Sequence, residues 1–148
     1  FAVSLSLGLP GRDAELALIA GVGGTPALDH LAPVADLDAW RRLRDAVDET
    51  FVHPSVATYA LDVVDVVRAR SNSQQPISPR AALGTVQLAK AHALAAGRDH
   101  VRPDDVQSVM VAALSHRIAD AANDDLPTAR RWIAEFLHQV PVPPTPGT

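Results

Sequence analysis

The run from Pro76 to Val106, PISPRAALGTVQLAKAHALAAGRDHVRPDDV, restricts the fold of this chain more than any other part of it. Ser78 followed by Pro79 predicts a helix start, because serine can accept from a free first-turn amide and proline has no amide to leave unpaired. Ala81 to Ala96 contains neither proline nor a β-branched run, and Gly97 supplies a stop. The side chains are small on several faces at once: Ala82, Val86, Ala89 and Ala93 form one stripe, Ala81, Gly84, Leu88 and Ala95 another. That pattern predicts a helix in the middle of a bundle, where neighbouring backbones approach closely. Arg80 stands in the first turn, where a cation opposes the positive end of the helix dipole. The mismatch makes Arg80 a candidate to face an anion that the helix N-terminus also attracts. A surface ion pair is the plainer alternative.

The rest of the composition narrows the class. A chain of 148 residues with 47% hydrophobic and 20% charged residues is long enough for one good core and is not of disordered type. Cysteine is absent, which excludes disulfides and thiolate metal sites. No run of about 18 apolar residues occurs, so no membrane span is expected. FAVSLSLGLP has no basic flank and does not read as a signal peptide, so the expected location is cytoplasmic. The net charge of −4 and the single lysine, Lys90, argue against a nucleic-acid surface. The six histidines have no ligand spacing, and no metal site is expected.

Taken in order, Ala2–Leu7 alternates Val3, Leu5 and Leu7 with Ser4 and Ser6, the period of a short strand ended by Gly8-Leu9-Pro10-Gly11. No second strand is legible, so this one is an orphan, expected to be disordered, packed over the bundle or paired with a second copy. Together with the start on Phe1, it suggests a piece of a longer chain. Asp13 is the expected cap of a short helix to Ala20, and Asp36 of one to about Asp48 with Leu37, Trp40, Leu43 and Val47 on one face. Pro54 opens a helix to about Arg70 that buries Val56, Tyr59, Ala60, Val63 and Val67 and turns Asp62, Asp65 and Arg68 to water. SNSQQ reads as a polar loop. Pro103-Asp104-Asp105 begins a helix with Val106, Val109, Met110, Ala113 and Leu114 inward, the two aspartates serving cap and dipole. After a break at Asn123–Pro127, a last helix from about Thr128 to Gln139 carries Trp132 and Phe136 in its apolar stripe. The expected fold is all-α, a bundle of about five to six helices with a short N-terminal strand. The expected parts are residues 1–11 as strand and hinge, 12–140 as the helical domain and 141–148 as a proline-rich tail.

Three segments in order, FAVSLSLGLPGRDAEL, ISPRAALGTVQLAKAHALAAGRDHVRPDDV and LSHRI, resemble the C-terminal part of the MoxR family of AAA+ ATPases, and the resemblance runs from about Phe1 to Pro143. Family members often have tyrosine at the positions of Leu9 and His100, and a small hydroxyl residue at Arg102. The resemblance implies that Ala2–Leu7 is the last strand of the ATPase core, Gly8–Gly11 the hinge, and the helices the lid. It places Arg80 at the sensor-2 arginine, which reaches from the lid to the γ-phosphate, with Leu9, Pro10, Ser78 and Pro79 beside the nucleotide. ATP and magnesium are then the cofactors of the whole enzyme. Its implied partners are its own core, neighbouring ring subunits and a von Willebrand factor A domain protein, in chaperone-like maturation of clients. Because no GxxxxGK[ST] and no magnesium-binding acidic pair after a strand occur here, this chain alone is expected to hydrolyse nothing. The competing reading is a non-enzymatic helical interaction domain, perhaps binding nucleic acid through Arg41, Arg42 and Arg44.

Overall fold

A computed structural model describes residues 1–21, 31–70, 77–122 and 125–144. The expected loops at 22–30 and 71–76, the break at 123–124 and the tail end at 145–148 lie outside the described residues. Six helices follow in chain order: α1 (Arg12–Ile19), α2 (Leu37–Glu49), α3 (Pro54–Arg70), α4 (Pro79–Ala95), α5 (Pro103–Ala122) and α6 (Leu126–Leu137). Among the described residues no helix is long and apolar enough to cross a membrane.

The starts and stops are set by local chemistry. Asp36 accepts from the Ala39 amide at 2.7 Å and so begins α2. Prolines sit at the first position of α3, α4 and α5, where a missing N–H costs nothing. Gly97 stops α4 at φ +73°, a left-handed conformation that residues with a Cβ adopt at a cost. One expected cap and one expected start are corrected. Helix α1 is preceded by Gly11, with no side-chain cap, and Asp13 lies inside its first turn. Helix α6 starts earlier than Thr128 because Asp125 accepts from the Thr128 amide at 2.7 Å and Pro127 fits the first turn.

The chain divides into two units, Leu5–Arg42 on one side and Phe1–Ser4 with Leu43–Thr148 on the other. In the first, α1 buries no residue. The second holds the core. Helix α5 lies along both α4 and α6, and α3 packs on α4 and α5. Met110, Leu114 and Ile118 of α5 are fully buried, together with Val56, Tyr59, Val63 and Val67 of α3 and Ile133 of α6. Burying each such side chain contributes about 1.5–3 kcal/mol. Trp132 and Phe136 are half-buried at the margin of this core, with rings stacked at 5.4 Å.

The central helix is therefore α5, not α4. Helix α4 buries one stripe only, Ala81, Thr85, Ala89 and Ala93. Its neighbours stand on that side; Leu83 is 68% exposed, and a Cβ on Gly84 would meet nothing within 4 Å. Small residues let α3 and α5 approach one face of α4 closely, while Ala82, Val86 and Leu88 beside it are only half-buried.

The expected strand does not form. Ala2–Leu7 has no strand pairing; the single β-bridge among the described residues joins Phe51 and His100. With no sheet to complete, the backbone of Phe1–Ser4 finds its hydrogen bonds on α5 and α6 instead.

Candidate functional site

The N-terminus of α4 carries the candidate site. Ser78 takes extended backbone angles (φ −68°, ψ 157°) and its hydroxyl accepts from the Ala81 amide at 3.3 Å, so the cap forms as the sequence predicts. Ile77, the residue before the cap, is buried in the core. The Ile77 carbonyl accepts from Arg68 Nε of α3 at 2.8 Å, and Arg68 also pairs with Asp65 at 2.7 Å. Arg68 thus does more than face water: it ties the end of α3 to the start of α4. Sequence reasoning missed this because the two residues are nine positions apart and share no helical periodicity.

Arg80 follows in the first turn, exposed, and forms no hydrogen bond or ion pair with the described residues. Ser78, Pro79 and Arg80 are therefore brought together on one anchored helix end. Leu9 and Pro10, the other expected site residues, lie in the Leu5–Arg42 unit and are both exposed. Beside Pro79 an apolar groove of about 430 Å³ runs between α3 and α4, lined in part by Ala57, Leu61, Arg68, Leu83 and Val86.

At the opposite end of α4 is a polar cluster around Asp105, which sequence reading took for a cap and dipole residue. Asp105, 1% exposed, is held by Arg98 through two bonds of 2.5 and 2.6 Å, by His92 Nδ1 at 2.7 Å and by the Arg102 amide at 2.8 Å. Burial by itself raises the Asp105 carboxyl, but the Arg98, Arg102 and His92 hydrogen bonds outweigh it and hold the group well below the ordinary carboxylate range. Asp104 remains exposed. Arg80 and His92 are twelve residues apart on the helix, roughly 18 Å at about 1.5 Å per residue. The Asp105 cluster is therefore structural and no part of the Arg80 site. Of the pair His116-Arg117, Arg117 donates to the Phe1 carbonyl at 3.1 Å, whereas both ring nitrogens of His116 are buried without a hydrogen-bond partner.

Comparison with known proteins gives a consistent result. Residues 67–135 match the AAA lid domain family. The chain is 31% identical over 139 residues to the chaperone MoxR1 of Mycobacterium tuberculosis, matching 85% of this chain and 36% of that protein. It is 28% identical over 118 residues to the uncharacterised protein YeaC of Bacillus subtilis, matching 80% of this chain and 37% of YeaC. It thus spans little more than a third of the length of these curated relatives. The fold also matches the crystal structure of a candidate ATPase from Cytophaga hutchinsonii, with a TM-score of 0.72 and 20% identity over 97% of this chain and 47% of the other. The matched segment runs from the last turn of α3 through α4 and α5 into α6 and includes the capped arginine; the chain has an AAA lid domain there, and its similarity to MoxR1 supports the MoxR type of AAA+ ATPase.

Proposed function

We propose that this chain closes over ATP as the lid of a MoxR-type AAA+ enzyme and that Arg80 is its sensor-2 arginine, directed to the γ-phosphate. The observation that carries this reading is the condition of Arg80: exposed, without a partner among the described residues, on a helix end held by the Ser78 cap and the Arg68–Ile77 bond. An arginine kept only for structure would be expected to have a carboxylate or carbonyl partner nearby. A planar guanidinium offers a fork of donors matched to phosphate oxygens, and a cation fixed there offsets the charge that develops in phosphoryl transfer.

The groups at this helix end suit an anion. They comprise one cation and the first-turn N–H groups that lie outside the helix ladder. They do not suit magnesium, which takes oxygen ligands, and no three His, Cys, Asp or Glu side chains gather as a metal site among the described residues. On this reading Ser78, Pro79 and Arg80 meet the phosphate end of the nucleotide and the ATPase core holds magnesium, while Leu9 and Pro10 are nucleotide-binding candidates by the resemblance alone. The chain acting alone then hydrolyses nothing. Lid closure passes to neighbouring ring subunits and, with a von Willebrand factor A domain partner, to remodelling of client proteins. The name of the mycobacterial relative, a chaperone, supports that last part.

The test is Arg80→Ala in the longer protein that contains this chain. ATP turnover is expected to fall by tens of fold or more while nucleotide binding changes less. Unchanged turnover refutes the assignment.

A further inference from the structure

We infer that Ala112, Arg117 and Arg130 form a main-chain clasp for an extended peptide segment, occupied here by the chain's own Phe1–Ser4. The Ser4 amide donates to the Ala112 carbonyl at 2.8 Å. Arg130 Nη2 donates to the Ser4 carbonyl at 3.1 Å and to its hydroxyl at 3.3 Å. Arg117 Nη2 donates to the Phe1 carbonyl at 3.1 Å. On the segment's side, three of these four bonds are made by main-chain atoms.

Side-chain burial does not hold the segment. Phe1 is fully exposed, Val3 is 37% exposed, and Leu5 and Leu7 beyond it are more so. The grip is polar, directed at the backbone, and tolerant of sequence, as in strand addition, where main-chain bonds supply affinity. Both arginines are free to serve it, since neither makes an ion pair among the described residues. A bond from a charged donor to a carbonyl is worth more than one between neutral groups. Ala112 lies within α5, and its carbonyl has a second lone pair to offer beyond the helix ladder.

The clasp joins Phe1–Ser4 to two helices, α5 through Ala112 and Arg117 and α6 through Arg130, whereas the residues that follow, Leu5–Arg42, form a separate unit. If the segment leads in from an ATPase core, a consequence that rests on the lid reading above, it ties that core to α5 and α6 directly. A shift of the segment then moves both helices without passing through the Gly8–Gly11 hinge.

Amide exchange followed by NMR on the 148-residue chain tests the clasp. Arg130→Ala, alone and with Arg117→Ala, is expected to speed exchange of the Ser4 amide by about tenfold or more. The Met110 and Leu114 amides of α5 are expected to exchange as in the wild type. Should the alanine variant lose that α5 protection, Arg130→Gln keeps part of the side-chain stem and replaces it. Phe1→Ala and Val3→Ala are expected to leave Ser4 exchange within about twofold. Ser4 protection that survives the double substitution overturns the clasp. So does a loss in Phe1→Ala or Val3→Ala as large as in Arg130→Ala, because side-chain packing would then hold the segment. No nucleotide enters this measurement, so its outcome is independent of the Arg80 test.

Discussion

Arg98 grips Asp105 with both arms of its guanidinium, Nη1 to Oδ2 at 2.5 Å and Nη2 to Oδ1 at 2.6 Å, and so fastens the loop after α4 to the first turn of α5. The same carboxylate accepts from His92 of α4, so three consecutive pieces of chain meet on one buried group. Removing one partner of such a pair leaves an uncompensated polar group inside.

Asp105→Asn is accordingly expected to destabilise the chain by about 3 kcal/mol at pH 7, read as a lower urea midpoint. The folded-state pKa of Asp105 lies below the unfolded value, which is about 3.9. Its stabilisation is therefore present above about pH 4 and lost as pH falls towards the folded value. The gap between wild type and Asp105→Asn should be full at pH 7 and narrow progressively below about pH 4. An equal gap at pH 7 and in strong acid would contradict the assignment.

Arg80→Ala should leave the stability of this chain within about 0.5 kcal/mol, or raise it slightly, because a cation in a helix first turn opposes the dipole and this one has no partner to lose among the described residues. Thermal melts of the two proteins measure it. A large drop would mean that Arg80 is structural.

Two glycines of the same helix region should respond in opposite directions. Gly84 is exposed inside α4 with open space around it, so Gly84→Ala should stabilise by about 1 kcal/mol. Gly97 sits at φ +73°, so Gly97→Ala should cost about 1–2 kcal/mol despite equally open space. Urea unfolding of both variants gives the comparison, and matching signs would show that backbone conformation is not what separates them.

Met110 is completely buried on α5, the helix that packs against both α4 and α6. Met110→Ala should cost about 2–5 kcal/mol through lost burial and the cavity left behind. A loss under about 1 kcal/mol would place the centre of the core elsewhere.

The features legible in sequence are those whose cause is local. Pro54, the Ser78-Pro79 pair, Gly97 and Pro103 each act within one turn, and they placed the start of α3, both limits of α4 and the start of α5. The Asp125-x-Pro127 start of α6 is just as local, but the break read at Asn123–Pro127 hid it. Arg80 could be singled out from sequence because its oddity, a cation in a first turn, is itself a local fact.

The remaining features depend on groups far apart in the chain. Alternation in Ala2–Leu7 describes a strand only where a partner strand exists; here Ala112, Arg117 and Arg130 take its backbone instead. Small residues around α4 permit close packing on every side, and the position of α3 and α5 decided that the Ala81–Thr85–Ala89–Ala93 stripe is the one fully buried. Whether Asp105 is a surface cap or the buried anchor of Arg98 depends on where α4 lies, and so does the tie from Arg68 to Ile77. By itself the sequence determined the helices, most of their ends and the candidate arginine, because turn chemistry and helical period act over a few residues. Only the tertiary structure decided which helix is central, which charges are buried in pairs and that Arg80 has no partner among the described residues, because desolvation and pairing depend on what the folded chain brings alongside each group.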